Sequence, residues 1–85
     1  MAQRDRDWCA LAIPATALVA RCHGGQFTAE AILPEVLADI GEPTDRRSFG
    51  AVIRSLARDG VIRRIGYAPA VTSHRSPKPL WEACP

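Results

Sequence analysis

The chain has 85 residues, 47% hydrophobic and 24% charged, with a net charge of +2 at neutral pH. That length holds one small domain with a thin core and excludes a two-domain enzyme. No apolar run approaches the roughly 18 residues that would span a bilayer. The three cysteines are an odd number that makes no disulfide framework, so a reducing, cytoplasmic setting without membrane contact is expected.

The charges are unevenly placed. Residues 1–42 carry three basic side chains against six acidic ones, net −3, and residues 43–85 carry eight against three, net +5. A basic C-terminal half beside an acidic N-terminal half points to a polyanion met by one side of the molecule.

Arg4 and Arg6 precede the uncharged run Trp8–Ala20, and Ala15-Thr16-Ala17 has the look of a small-residue cleavage site. Asp5 and Asp7 neutralise that start, however, and the run has helical periodicity. Trp8, Leu11, Ala12, Ala15, Leu18, Val19 and Cys22 form one stripe of a helix expected over about 4–22. Pro14 either kinks this helix or begins a shorter one. His23-Gly24-Gly25 stops it.

Gln26-Phe27 is at most an extended stub. Thr28 then caps a second helix, about 28–40, with Ile32, Leu33, Val36, Leu37 and Ile40 inward, Pro34 awkward in its first turns, and Gly41 as its stop. Thr44 or Asp45 caps a third helix over about 45–59, whose buried stripe is Phe49, Val52, Ile53 and Leu56. Asp59-Gly60 ends it. Val61–Ile65 reads as a strand, 67–79 as an exposed loop rich in Pro and Ser, and Leu80-Trp81-Glu82 as the return strand with Trp81 turned inward. The expected hairpin covers about 61–83, and no repeat or second domain is evident. The fold class is α+β: three helices around a core of Leu11, Leu18, Phe27, Leu33, Val36, Leu37, Phe49, Val52, Ile53, Leu56 and Trp81, with a two- to three-stranded antiparallel sheet.

The third helix has an unusual outer face. With Phe49 at zero, Arg47, Arg54 and Arg58 project at about 160°, 140° and 180°, opposite the core. Gly50, Ala51 and Ser55 lie between them. Arg54 and Arg58 repel one another at i,i+4, and Gly50 costs the helix about 1 kcal/mol relative to Ala. Small residues that let a backbone approach closely, interleaved with Arg, suit a helix lying in a DNA major groove. The plain alternative is a solvated face whose arginines pair with Asp45 or Asp59. Arg63 and Arg64 on the first strand, with His74, Arg75 and Lys78 in the loop, add a basic hairpin able to grip flanking phosphates.

The order helix, stub, helix, turn, helix, strand, basic loop, strand resembles the winged helix-turn-helix domain, in its small phage- and prophage-encoded form. The likeness is carried by FTAEAILPEVLADIG, DRRSFGAVIRSLARDGVIRRIGY and SHRSPKPLW, and is most specific from Phe49 through Gly60 to Ile62. It implies that the third helix is a recognition helix presenting Arg46, Arg47, Ser48, Ala51, Arg54 and Ser55 to the groove. It also implies that His74, Arg75 and Lys78 are contacts of the wing. Pro14, Pro34 and the net acidic first two helices depart from the pattern.

No set of residues supports catalysis, a cofactor or a metal. Cys9, Cys22, Cys84, His23 and His74 lack ligand spacing, and Cys9 and Cys22 stand about 220° apart on a helix. Cys22 reads as a small core residue and Cys84 as an exposed tail thiol. The expected function is therefore duplex-DNA binding by a small transcriptional regulator, with Arg58, Arg63 and Arg64 completing the contact set. Two copies would pair through the first-helix stripe around Trp8. The alternative is a protein-binding module of the same fold, for example a phage-type inhibitor of a host nucleic-acid-binding complex. It would work through the acidic helices and be marked by an apolar patch near Trp8.

Overall fold

The computed structural model describes residues 3–68 and 77–84. It is an α+β arrangement: α1 (Gln3–His23), α2 (Ala29–Ile40), α3 (Ser48–Arg58), β1 (Ile62–Ala68) and β2 (Lys78–Ala83). The two strands pair antiparallel, Ile62 opposite Ala83 and Ala68 opposite Lys78, with an irregularity between Arg64 and Gly66. The expected stub is one residue, Phe27. Its amide donates to the Trp81 carbonyl at 2.9 Å and its carbonyl accepts from the Trp81 amide at 2.8 Å. This bridge ties the α1–α2 connection to the return strand. Among the described residues, no helix is long and apolar enough to cross a membrane.

Local chemistry explains the helix ends. The Thr28 side chain accepts from the Ala31 amide at 3.3 Å, and the Gly41 amide closes α2 on the Leu37 carbonyl at 2.8 Å. α3 ends in a Schellman motif. Val61 N–H reaches the Leu56 carbonyl, Gly60 N–H reaches the Ala57 carbonyl, and Gly60 takes a φ of +77° that an L side chain resists. The motif turns the chain straight into β1.

α3 begins later than expected, at Ser48. Asp45, Arg46 and Arg47 form a tighter turn instead, with Ser48, Phe49 and Gly50 amides donating three residues back. The Asp45 carboxylate accepts from the Arg47 amide at 2.9 Å and so caps this turn, not the helix. Pro14 lies inside a continuous α1, on its exposed face, and Pro34 lies exposed within α2.

The core comprises Trp8, Ala12, Ala20, Phe27, Ile32, Val36, Phe49, Val52, Ile53, Leu56 and Ile62, with Leu33, Leu37 and Trp81 half-buried against it. Leu11 and Leu18 are not in it, being 60% and 62% exposed. The buried face of α1 runs Asp5, Trp8, Ala12, Thr16, Ala20, about 75° around the helix from the leucine-bearing stripe. Small side chains at Ala12, Thr16 and Ala20 let the other helices pack close to the α1 backbone. Trp8 is buried within the molecule and so does not form a surface for a second copy. The cysteines are also reversed: Cys22 is exposed and Cys84 is half-buried.

Two polar anchors on α1 fix the turn that leads into α3. The Trp8 indole N–H donates to the Gly41 carbonyl at 2.8 Å, and its ring meets Phe49 edge-on at 6.4 Å. Asp5, only 5% exposed, accepts from the Thr44 amide at 2.9 Å and from the Ser48 hydroxyl at 3.2 Å. The Thr44 amide, foremost, holds the Asp5 carboxyl below the ordinary carboxylate range. A carboxylate favoured by the fold stabilises it fully above its unfolded-state pKa. That contribution is lost as the pH falls through the lower folded-state value. Asp5→Asn is therefore expected to lower the Tm by on the order of 10 °C near neutral pH. The deficit should shrink as both proteins are acidified from about pH 5 to about pH 2. Thermal unfolding across that range checks both points; equal Tm values at pH 7 would refute the anchoring role.

Candidate nucleic-acid interface

α3 is strongly amphipathic. Phe49, Val52, Ile53 and Leu56 are buried, whereas Arg47, Arg54 and Arg58 are exposed, as their spacing predicts. Gly50, Ala51 and Ser55 are half-exposed between them. Ser48 departs from expectation. It is buried, with its hydroxyl spent on Asp5 and its carbonyl accepting from the Cys9 thiol at 3.7 Å. As the first residue of α3 it faces α1, so it is not available to a groove.

The arginines are not equivalent. Arg46 pairs with Glu42, 2.7 Å between Nη2 and Oε1. Arg47 lays its guanidinium along the Asp45 carboxylate, with Nε at 3.0 Å and Nη2 at 2.9 Å from Oδ2. That hydrogen bond raises the Arg47 pKa and lowers that of Asp45. Arg58 lies 3.8 Å from Asp59 and donates to the Ser55 hydroxyl at 3.3 Å. Arg54 makes no hydrogen bond or ion pair with any described residue. The solvated pairing with Asp45 and Asp59 is thus present at Arg47 and Arg58 and absent at Arg54.

These pairs are exposed, the Arg47 side chain to 91%. Exposed ion pairs contribute little to stability and exchange readily, so an incoming phosphate competes for the same guanidinium. They do offset locally the positive field that counting charges along the basic half suggests.

On the sheet, Arg63 and Glu82 are cross-strand partners, the Arg63 Nε donating to Oε1 at 2.6 Å. The Arg64 guanidinium stacks 5.4 Å above the Tyr67 ring and has no acidic partner among the described residues. Lys78 is the first residue of β2, not a loop residue, and lies 3.5 Å from Glu30. His74 and Arg75 fall outside the described residues. Among the described residues no cluster of His, Cys, Asp or Glu is arranged to hold a metal.

Gly50 stands out because the fold does not ask for it. It lies within α3 without a positive φ, and a Cβ built on it would meet only the mobile Arg54 Nη1, at 3.4 Å. Alanine would fit there and favour the helix. Two further features were not expected from the sequence. One is the Arg54 guanidinium lying back towards Gly50 one turn earlier. The other is the groove between Arg6, Cys9 and Ile13 of α1 and Ala51, Ser55 and Arg58 of α3. Periodicity along single helices carries no information on either.

Set against known proteins, the chain matches no family model, no curated protein and no solved structure.

Proposed function

We propose that this chain is a winged helix-turn-helix module that binds duplex DNA, with α3 in the major groove and the β1–β2 hairpin as the wing on the flanking backbone. The observation that carries the reading is the outer face of α3: an exposed Arg54, with no hydrogen-bond or ion-pair partner among the described residues, beside Gly50 and Ala51, the glycine being unneeded by the fold. A backbone free of bulk can approach base edges, and the guanidinium reaches guanine acceptors or phosphate oxygens. Arg46, Arg47 and Arg58 give up exposed ion pairs to join it, and Arg63 and Arg64 extend the basic surface onto β1. The element order and the Phe27–Trp81 bridge support the winged arrangement. The module acts as a small regulator, without chemistry of its own.

The test is fluorescence anisotropy with a labelled mixed-sequence duplex at two salt concentrations. Affinity is expected to fall by at least about tenfold between about 50 and 200 mM salt, as two or more phosphate contacts require. Absence of binding at the lower salt would overturn the proposal. Gly50→Ala adds a diagnostic trade: it is expected to raise stability by about 0.5–1 kcal/mol and to weaken duplex binding several-fold. A stabilised variant with unchanged affinity would show that α3 does not approach the duplex there.

A protein partner is the second reading, favoured by Leu11 and Leu18. These two exposed leucines lie seven residues apart on one face of α1, with Pro14 and Ala15 between them. That face is about 150° around α1 from Ile13, which lines the groove against α3. A protein or second copy of the chain seated on it leaves α3 accessible, so DNA and partner binding are compatible.

A further inference from the structure

A second concavity, of about 240 Å³, opens between the N-terminus of α2, α3 and β2. Its walls are apolar: Ala29 from α2, Ile53 from α3, and Pro79 and Trp81 from β2. Gly50 keeps the α3 side low. The charged residues around it are Glu30, Arg54 and Lys78, net positive by one. Lys78 and Glu30 face each other at 3.5 Å, which leaves Arg54 as the cation with no described partner.

An apolar cleft with a few convergent polar groups is the general form of a small-molecule site. This one is smaller than the roughly 300–1,000 Å³ of drug-sized sites, which suits one aromatic ring with a short side chain. Trp81, half-buried, offers an aromatic surface to such a ring. Arg54 offers the planar fork that pairs with a carboxylate through two parallel hydrogen bonds. A cationic ligand is disfavoured by the net charge, and a wholly apolar one leaves Arg54 unused.

We propose that this cleft binds a small aromatic carboxylate, its ring between Ile53, Pro79 and Trp81 and its acid group on Arg54. The site does not depend on the DNA reading. Its corollary does: a carboxylate holding Arg54 withdraws that guanidinium from the outer face of α3, so ligand and duplex compete.

The probes are 3-phenylpropionate and its neutral amide, titrated into the ¹⁵N-labelled chain and followed by amide chemical shifts. The acid is expected to give saturable shifts at Ala29, Glu30, Gly50, Ile53, Arg54 and Trp81, and to bind at least about tenfold more tightly than the amide. Arg54→Met, a change at an exposed position, is expected to abolish that preference while leaving weak binding of both. Ala29→Phe, which fills the cleft, is expected to remove binding of either. Equal affinity of acid and amide for the unmodified chain, shifts located elsewhere, or no saturation would each overturn the proposal, whatever the outcome with DNA.

Discussion

Trp8→Ala is expected to lower the stability of the fold by about 3–5 kcal/mol and its Tm by roughly 15 °C or more. Trp8 is 6% exposed, edge-on to Phe49, and its N–H is committed to the Gly41 carbonyl. Truncating a buried Trp costs about 3–5 kcal/mol. At roughly 0.05–0.15 kcal/mol per residue, a chain of this length has about 4–13 kcal/mol in total. The loss is therefore comparable with the whole stability at the lower end. It also frees α1 from the connection that starts α3, so the surface proposed for DNA is lost with the core. Trp8→Phe keeps most of the apolar contact and should cost less, because Gly41 is exposed and water can take the place of the indole N–H. Far-UV circular dichroism with urea or heat measures both. A cooperative Trp8→Ala transition within about 5 °C of the parent would refute this account of the core.

Arg54→Met is expected to lower affinity for duplex DNA by about 5- to 150-fold, the range of one well-placed guanidinium contact, with no loss of stability. Methionine keeps an unbranched stem and a good helix former on an exposed position. Arg46→Met is the comparison, because that guanidinium already lies on Glu42 and must leave it to reach a phosphate. Its effect should be smaller. Anisotropy titrations over a range of salt also separate two roles. If Arg54 contacts phosphate, the variant lowers the slope of log affinity against log salt by about one. If it reads a base edge, the slope holds and discrimination between sequences falls. Unchanged affinity in Arg54→Met would remove α3 from the interface.

Features governed by neighbours in sequence were readable before the structure. Thr28 and Gly41 bound α2, Gly60 ends α3, and the stripe of α3 spaces Phe49, Val52, Ile53 and Leu56 inward, all decided within a few residues. The buried face of α1 was readable only at Trp8 and Ala12, because the two large leucines outweigh alanines in any count of hydrophobicity and pull the expected stripe towards Leu11 and Leu18. The fold instead uses Ala12, Thr16 and Ala20 for close packing and buries Asp5 for partners 39 and 43 residues away. Ser48 was misplaced for a related reason. With Asp45 capping a turn and not the helix, α3 starts at Ser48, whose hydroxyl then faces α1. The pairings of Arg47 with Asp45 and of Arg58 with Asp59 were visible in the sequence as local alternatives. That Arg54 alone on this face lacks an acidic partner among the described residues emerges only when the elements are packed. The cleft beside Trp81 likewise depends on β2 returning past the N-terminus of α2.

The most direct measurement is an amide chemical-shift map of the ¹⁵N-labelled chain titrated with a mixed-sequence duplex at low salt. The account predicts shifts concentrated at Arg47, Gly50, Ala51, Arg54, Ser55 and Arg58, continuing onto Arg63 and Arg64, with Leu11 and Leu18 unmoved. Shifts confined to the Leu11–Leu18 face of α1, or none at all, would contradict it.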